Sequence, residues 1–108
     1  MITIIIPTLN EEKYIGRLLE SLSTYPSIKQ ILIIDANSKD KTRKIVNNFK
    51  RKLDPENLQI SIKENPKVLQ GYALNIGIQE AKYKCIIRLD AHALLKKYDY
   101  KNDHFSNI

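Results

Sequence analysis

The chain has 108 residues, 43% of them hydrophobic, which suffices for one core and is too little for two. Its 18 Lys and Arg against 12 Asp and Glu give a net charge of +6, a balance that favours anionic partners. Six Tyr, two Phe and no Trp do not interleave with the basic residues as a base-stacking surface would, so no nucleic-acid partner is expected. One cysteine excludes an internal disulfide; Cys85 lies in an apolar run and reads as a small core residue. No apolar stretch approaches the ~20 residues of a membrane span. A cytoplasmic protein is expected, at most peripheral at the inner face of a membrane.

Thr3 to Ile6 is apolar and β-branched, and Pro7 is expected to stop this first strand. Thr8 with Glu11 matches a capping box, with Asn10 as a competing N-cap. Ile15, Leu18, Leu19 and Leu22 then form one apolar stripe at helical spacing. Ile28 and Ile31 to Ile34 make a second strand ending at Asp35, followed by a polar turn, Ala36 to Asp40, and a helix that buries Ile45, Val46 and Phe49. Leu58, Ile60 and Ile62 alternate with polar residues, the pattern of a half-exposed strand near a sheet edge.

A third helix is predicted from about Leu69 to Lys82, burying Ala73, Leu74, Ile76, Ile78 and Ala81. Gly77 costs such a helix about 1 kcal/mol relative to Ala, a cost that close helix-on-sheet packing would explain. Cys85 to Ile87 reads as a fourth, buried strand that ends in Arg88-Leu89-Asp90-Ala91-His92-Ala93. If the chain stays extended, Asp90 and His92 point the same way and can hold a divalent cation or a polar ligand. The other reading is a turn with an Asp cap beside an exposed histidine. Residues 96–108 are polar and charged, a tail to an α/β domain spanning residues 1–95.

Strands alternating with amphipathic helices predict an α/β fold, a mostly parallel open sheet with helices on both faces. Ligands of such sheets bind beyond the carboxyl ends of the strands, where strand order switches. Thr8, Asn10, Asp35, Asp90 and His92 all fall at such ends. Pro7-Thr8-Leu9-Asn10 after the first strand excludes both a G-x-G-x-x-G dinucleotide site and a Lys-Ser/Thr phosphate loop. What remains suits a nucleotide: a carboxylate for base or ribose and a cation for a diphosphate.

Four stretches in register then resemble one family. Ile4-Ile5-Ile6-Pro7-Thr8-Leu9-Asn10-Glu11 is similar to the opening of family 2 glycosyltransferases, which have the Rossmann-like GT-A fold. Ile33 to Thr42 resembles that family's second-strand motif, and Gly71, Ala73, Asn75, Gly77 and Ala81 its third-helix pattern. Arg88 to Ala93 sits where the family has D-x-D, and the D-A-H form most resembles the branch that builds bacterial exopolysaccharides such as succinoglycan.

The resemblance implies metal-assisted, inverting transfer of a sugar from a nucleoside diphosphate sugar to a hydroxyl of an acceptor saccharide or lipid-linked saccharide. It implies that Pro7, Thr8 and Glu11 border the nucleotide, that Asp35 contacts the base, that Asp90 binds ribose or metal, and that His92 is a metal ligand. Ala36 and His92 depart from the family's second Asp in each motif. An imidazole ligand favours Mn²⁺ over Mg²⁺. The family's general base lies in its second half, and Asp99 and Asp103 lack that base's sequence context. The chain therefore reads as a truncated, N-terminal nucleotide-binding half, with self-association at an uncovered sheet edge expected. The alternative reading is a non-catalytic module that binds a nucleotide or a partner chain.

Overall fold

The computed structural model describes residues 1–67 and 70–93. Its elements are β1 (Ile2–Thr8), α1 (Ile15–Leu22), β2 (Ile28–Asp35), α2 (Thr42–Arg51), β3 (Gln59–Glu64), α3 (Gln70–Glu80) and β4 (Cys85–Arg88). The four strands form one sheet in the order β3-β2-β1-β4, and every neighbouring pair is parallel. From β1 the chain steps outward to β2 and β3, then returns to the other side of β1. Strand order therefore reverses at the β1–β4 crevice, where such sheets bind ligands.

Side chains alternate across the sheet, and each face has its own cover. Ile4, Ile6, Ile31 and Ile33 pack with the whole α1 stripe and with Val46 of α2. On the opposite face Ile5, Leu32 and Ile34 pack against Ala73, with Leu74, Ile76 and Ala81 partly buried beside them. Helices thus lie on both faces, as the sequence predicts. The half-exposed third strand is the edge strand β3.

Gly77 explains how α3 comes so close. A Cβ placed there would lie 2.5 Å from Ile5 Cδ1 and 2.8 Å from its Cγ1 and Cγ2, so only glycine lets the helix rest on this strand. At its carboxyl end α3 is held by Gln30 of β2. The Gln30 amide donates to the Glu80 carbonyl at 3.2 Å and accepts from the Lys82 N–H at 2.8 Å. The Thr3 hydroxyl donates to the same Gln30 oxygen at 2.8 Å, so this buried polar group is satisfied between β1 and the end of α3.

Several expectations need correction. Pro7 does not stop β1, which continues to Thr8. The Ile5 carbonyl accepts from the Leu89 N–H on the β4 side, and Pro7, two residues on, faces that side too. It lies past the last β1–β4 pair, Ile5 with Arg88, so no ladder donor is required of it. Ile78 is 50% exposed, because α3 rests on the sheet through Ala73 and Gly77, and Ile78 follows them off the contact face. Cys85 is exposed rather than a core residue, and Ile87 is 40% exposed. β4 is the edge strand beside β1, and an apolar run is buried only where another element covers it.

Candidate functional site

The loops that follow β1 and β2 are laced together by their own side chains. Asn10 has a φ of 55° and Asn37 a φ of 61°, left-handed conformations that asparagine tolerates better than most residues. Successive N–H groups of the first loop donate to side chains of the second: Asn10 to Ser38 Oγ at 2.9 Å, Glu11 to Thr42 Oγ1 at 2.8 Å, and Glu12 to Asp40 Oδ2 at 3.1 Å. In return the Lys39 N–H donates to Asn10 Oδ1 at 2.8 Å. The expected capping box is therefore not formed. Tyr14 occupies the N-cap of α1 without a side-chain bond, the Thr8 hydroxyl turns to Asp35, and the Glu11 carbonyl accepts from Ile15 N–H at 3.0 Å.

Asp35 is the centre of this network and is 1% exposed. Its Oδ1 accepts from the Thr8 and Ser38 hydroxyls, each at 2.6 Å. Its Oδ2 accepts from the Ser38 N–H at 2.9 Å and lies 3.2 Å from Arg43 Nε. A carboxylate offers about four lone-pair positions, so these donors use its full capacity. Beyond β3, the Asn65 N–H donates to the Asp35 carbonyl at 2.8 Å and ties a third strand end to the same point.

Asp40 is the second anion of the lacing. Burial pushes its carboxyl up, but the Thr42 hydroxyl, the Thr42 N–H and the Glu12 N–H outweigh that and hold it below its ordinary 3.8. Hydrogen bonding to the charged form is the deciding cause. A carboxyl lowered in the folded state contributes stability that is present above the unfolded pKa and is lost as pH falls through the folded one. In urea unfolding between pH 2.5 and 6, wild type is expected to exceed Asp40→Asn above about pH 4, with the gap closing below it. A gap independent of pH would sink this account.

These loops enclose a cleft of ≈ 130 Å³ lined by Pro7, Thr8, Leu9, Glu11, Ile34, Ala36 and Asn65. Three residues singled out from the sequence, Pro7, Thr8 and Glu11, thus share one cavity, with Asp35 beside Thr8 on the neighbouring strand. Sequence reasoning missed Asn65, Ser38 and Thr42. Asn65 is the first residue after β3, next to Glu64, which pairs with Asp35, and that place at a strand end was its available signal.

Asp90 and His92 do not continue an extended strand. β4 ends at Arg88, and the Ala93 N–H donates back to the Asp90 carbonyl at 2.9 Å, closing a turn. Asp90 Oδ1 lies 3.3 Å from Arg88 Nη2, whereas His92 Nδ1 lies 3.8 Å from Glu11 Oε1. The Tyr14 ring meets the His92 ring edge-on, with centroids 5.9 Å apart and planes at 63°. An imidazole nitrogen facing a carboxylate oxygen is a donor set that suits Mn²⁺. Among the described residues no group of three or more His, Cys, Asp or Glu converges as a metal cage. Asp99 and Asp103 lie outside the described residues.

Comparison with known proteins bears on this arrangement. The family profile described as Glycosyl transferase family 2 matches residues 3–102. A dolichyl N-acetyl-alpha-D-glucosaminyl phosphate 3-beta-D-2,3-diacetamido-2,3-dideoxy-beta-D-glucuronosyltransferase of Methanococcus voltae is 41% identical over 94% of this chain and 32% of its own length. The succinoglycan biosynthesis protein ExoA of Rhizobium meliloti is 38% identical over 82% of this chain and 27% of its own. Residues 1–349 of TarS from S. aureus, solved in complex with UDP, superpose with a TM-score of 0.68 at 30% identity, covering 84% of this chain and 27% of that one. The chain thus spans about a third or less of the curated relatives it matches. Its strand order, its helices on both faces and the profile match along nearly its whole length agree: the chain belongs to glycosyl transferase family 2.

Proposed function

We propose that this chain forms the nucleotide-sugar half-site of an inverting transferase that moves a sugar from a nucleoside diphosphate sugar to an acceptor hydroxyl in polysaccharide or cell-envelope synthesis. The observation that carries this reading is the cleft at the carboxyl ends of β1 and β2, lined by Pro7, Thr8 and Glu11 beside the crevice where strand order reverses. Support comes from TarS, whose matching fold was solved with UDP. A cleft of ≈ 130 Å³ holds only part of a nucleotide, since small-molecule sites run to about 300–1,000 Å³.

In this reading the base lies over Thr8 and Asp35, and a base N–H reaches Asp35 by taking the place of one of its present donors. Asp90 and His92 face the ribose and diphosphate, with His92 as a cation ligand and Mn²⁺ preferred to Mg²⁺. A bound divalent cation supplies Lewis-acid stabilisation of the departing diphosphate. The acceptor, a saccharide or lipid-linked saccharide, and the carboxylate that deprotonates it are assigned to the part of the relatives that this chain does not span. Among the described residues no helix is long and apolar enough to cross a membrane.

The test is a ¹H–¹⁵N spectrum of the chain titrated with UDP and then GDP. UDP is expected to move the amides of Thr8, Asp35, Ala36 and Asn65 with a Kd of about 1 mM or tighter, corresponding to about −4 kcal/mol. A dispersed spectrum unmoved by either nucleotide would sink the reading. Release of sugar from a donor in the presence of Mn²⁺ would separate an active half-site from a module that only binds.

A further inference from the structure

The charge pairing across the β1–β4 crevice goes one step beyond that reading and rests on it. We infer that Glu11, rather than Asp90, is the carboxylate that shares a divalent cation with His92.

Two contacts divide the charged groups at this place. Arg88 Nη2 lies 3.3 Å from Asp90 Oδ1, so that carboxylate already faces a permanent cation two residues away. Drawing Asp90 onto a metal would bring the guanidinium beside a second positive charge, which is repulsive at any effective dielectric. His92 Nδ1 instead faces Glu11 Oε1 at 3.8 Å. That separation is too long for a hydrogen bond. Neighbouring ligands in an octahedral shell with bonds near 2.1 Å sit about 3 Å apart, so side-chain rotation of under about 1 Å closes the pair around an ion.

The two residues also sit where the topology needs them. Glu11 follows β1 and His92 follows β4, the strands between which the order reverses, so the pair spans the mouth of the crevice. Glu11 lines the same cleft as Pro7 and Thr8, its side chain 20% exposed, so a bound ion lies between the cleft assigned to the base and the His92 side assigned to the diphosphate. Both ligands are held from behind. The Glu11 N–H is anchored on Thr42 Oγ1 at 2.8 Å, and the Tyr14 ring meets the His92 imidazole edge-on. Support of this kind fixes ligand orientation and tunes affinity. One nitrogen and one carboxylate leave most of the coordination shell to water and phosphate oxygens, the usual division at a nucleotide site.

The experiment titrates Mn²⁺ alone into the full chain and follows the free-ion signal by electron paramagnetic resonance. Wild type, Glu11→Gln, His92→Ala and Asp90→Asn are compared, and each variant is checked for an unchanged circular dichroism spectrum. Glu11→Gln and His92→Ala are expected to weaken Mn²⁺ binding about tenfold or more, and Asp90→Asn less than threefold. A tenfold loss in Asp90→Asn with Glu11→Gln unchanged would overturn the inference, as would wild type showing no saturable Mn²⁺ binding. UDP binding measured in EDTA reports separately on the nucleotide reading. Nucleotide binding without this cation pair removes only the inference, and a cation pair without nucleotide binding removes only the broader reading.

Discussion

Replacing Asp35 by alanine is expected to lower the free energy of unfolding by about 3–5 kcal/mol, the range for breaking a buried, fully partnered charge. The loss comes less from Arg43, whose side chain is 39% exposed and returns to water, than from the groups left behind. The Thr8 hydroxyl and the Ser38 hydroxyl and N–H are buried and would each lose their acceptor. Asp35→Asn keeps the volume but turns an NH₂ toward either the hydroxyl pair or the Ser38 N–H and Arg43. Its cost is expected to be smaller, about 1–3 kcal/mol. Urea unfolding at pH 7 measures both, with an unchanged m-value licensing the comparison. A loss below about 1 kcal/mol for Asp35→Ala would mean that the loops do not depend on this carboxylate.

The two glycines of α3 should respond to alanine in opposite directions. Alanine at Gly77 gains about 1 kcal/mol of helix propensity but drives a methyl into Ile5. Ile5 is completely buried, and three of its side-chain atoms lie within 2.8 Å of the added carbon, so one rotamer change does not relieve the clash and the helix is expected to lift off the sheet. The net loss is expected to be about 1–3 kcal/mol, the usual cost of overpacking. At Gly71 a Cβ meets nothing within 4 Å, so the propensity gain stands alone and Gly71→Ala is expected to stabilise by about 0.5–1 kcal/mol. Thermal unfolding of the two single variants reads the contrast directly. Shifts of the same sign would show that the α3–β1 contact is softer than the packing indicates.

Much of the architecture was legible because it follows from period and length. The α1 stripe, the continuous apolar runs of β1 and β2 and the alternation in β3 together point to a mostly parallel sheet with helices on both faces, and Gly77 marked its own contact. The burial of β4 was not legible, because an apolar run says nothing about what covers it. Cys85 and Ile87 show the consequence.

At the site, Thr8 was readable as a polar residue at a strand end, and Pro7 and Glu11 through the resemblance to the family's opening motif. Their bonding was not. Thr8 has two competing partners, a helix N–H close in sequence and Asp35 far away in it, and the buried carboxylate wins. Asn10 could cap a helix, but in a left-handed conformation it instead receives the Lys39 N–H from the neighbouring loop. Local sequence patterns weigh neighbours along the chain, whereas this lacing is set by which strands end side by side.

The position of β4 has a consequence for how the molecule assembles. Pairing β1 with β2 brings Ile2 to Ile28, while pairing β1 with β4 brings Ile2 to Cys85 across most of the described chain. The longer closure costs more chain entropy and returns only a four-residue ladder. The β1–β2–β3 unit is therefore the part that can form first, and β4 the strand that docks last and frays first. Since Glu11 rides on the early unit and His92 on the late one, an ion or nucleotide that touches both would act as a clasp. It would bind only the docked state and so raise the protection of β4 amides in proportion to its concentration.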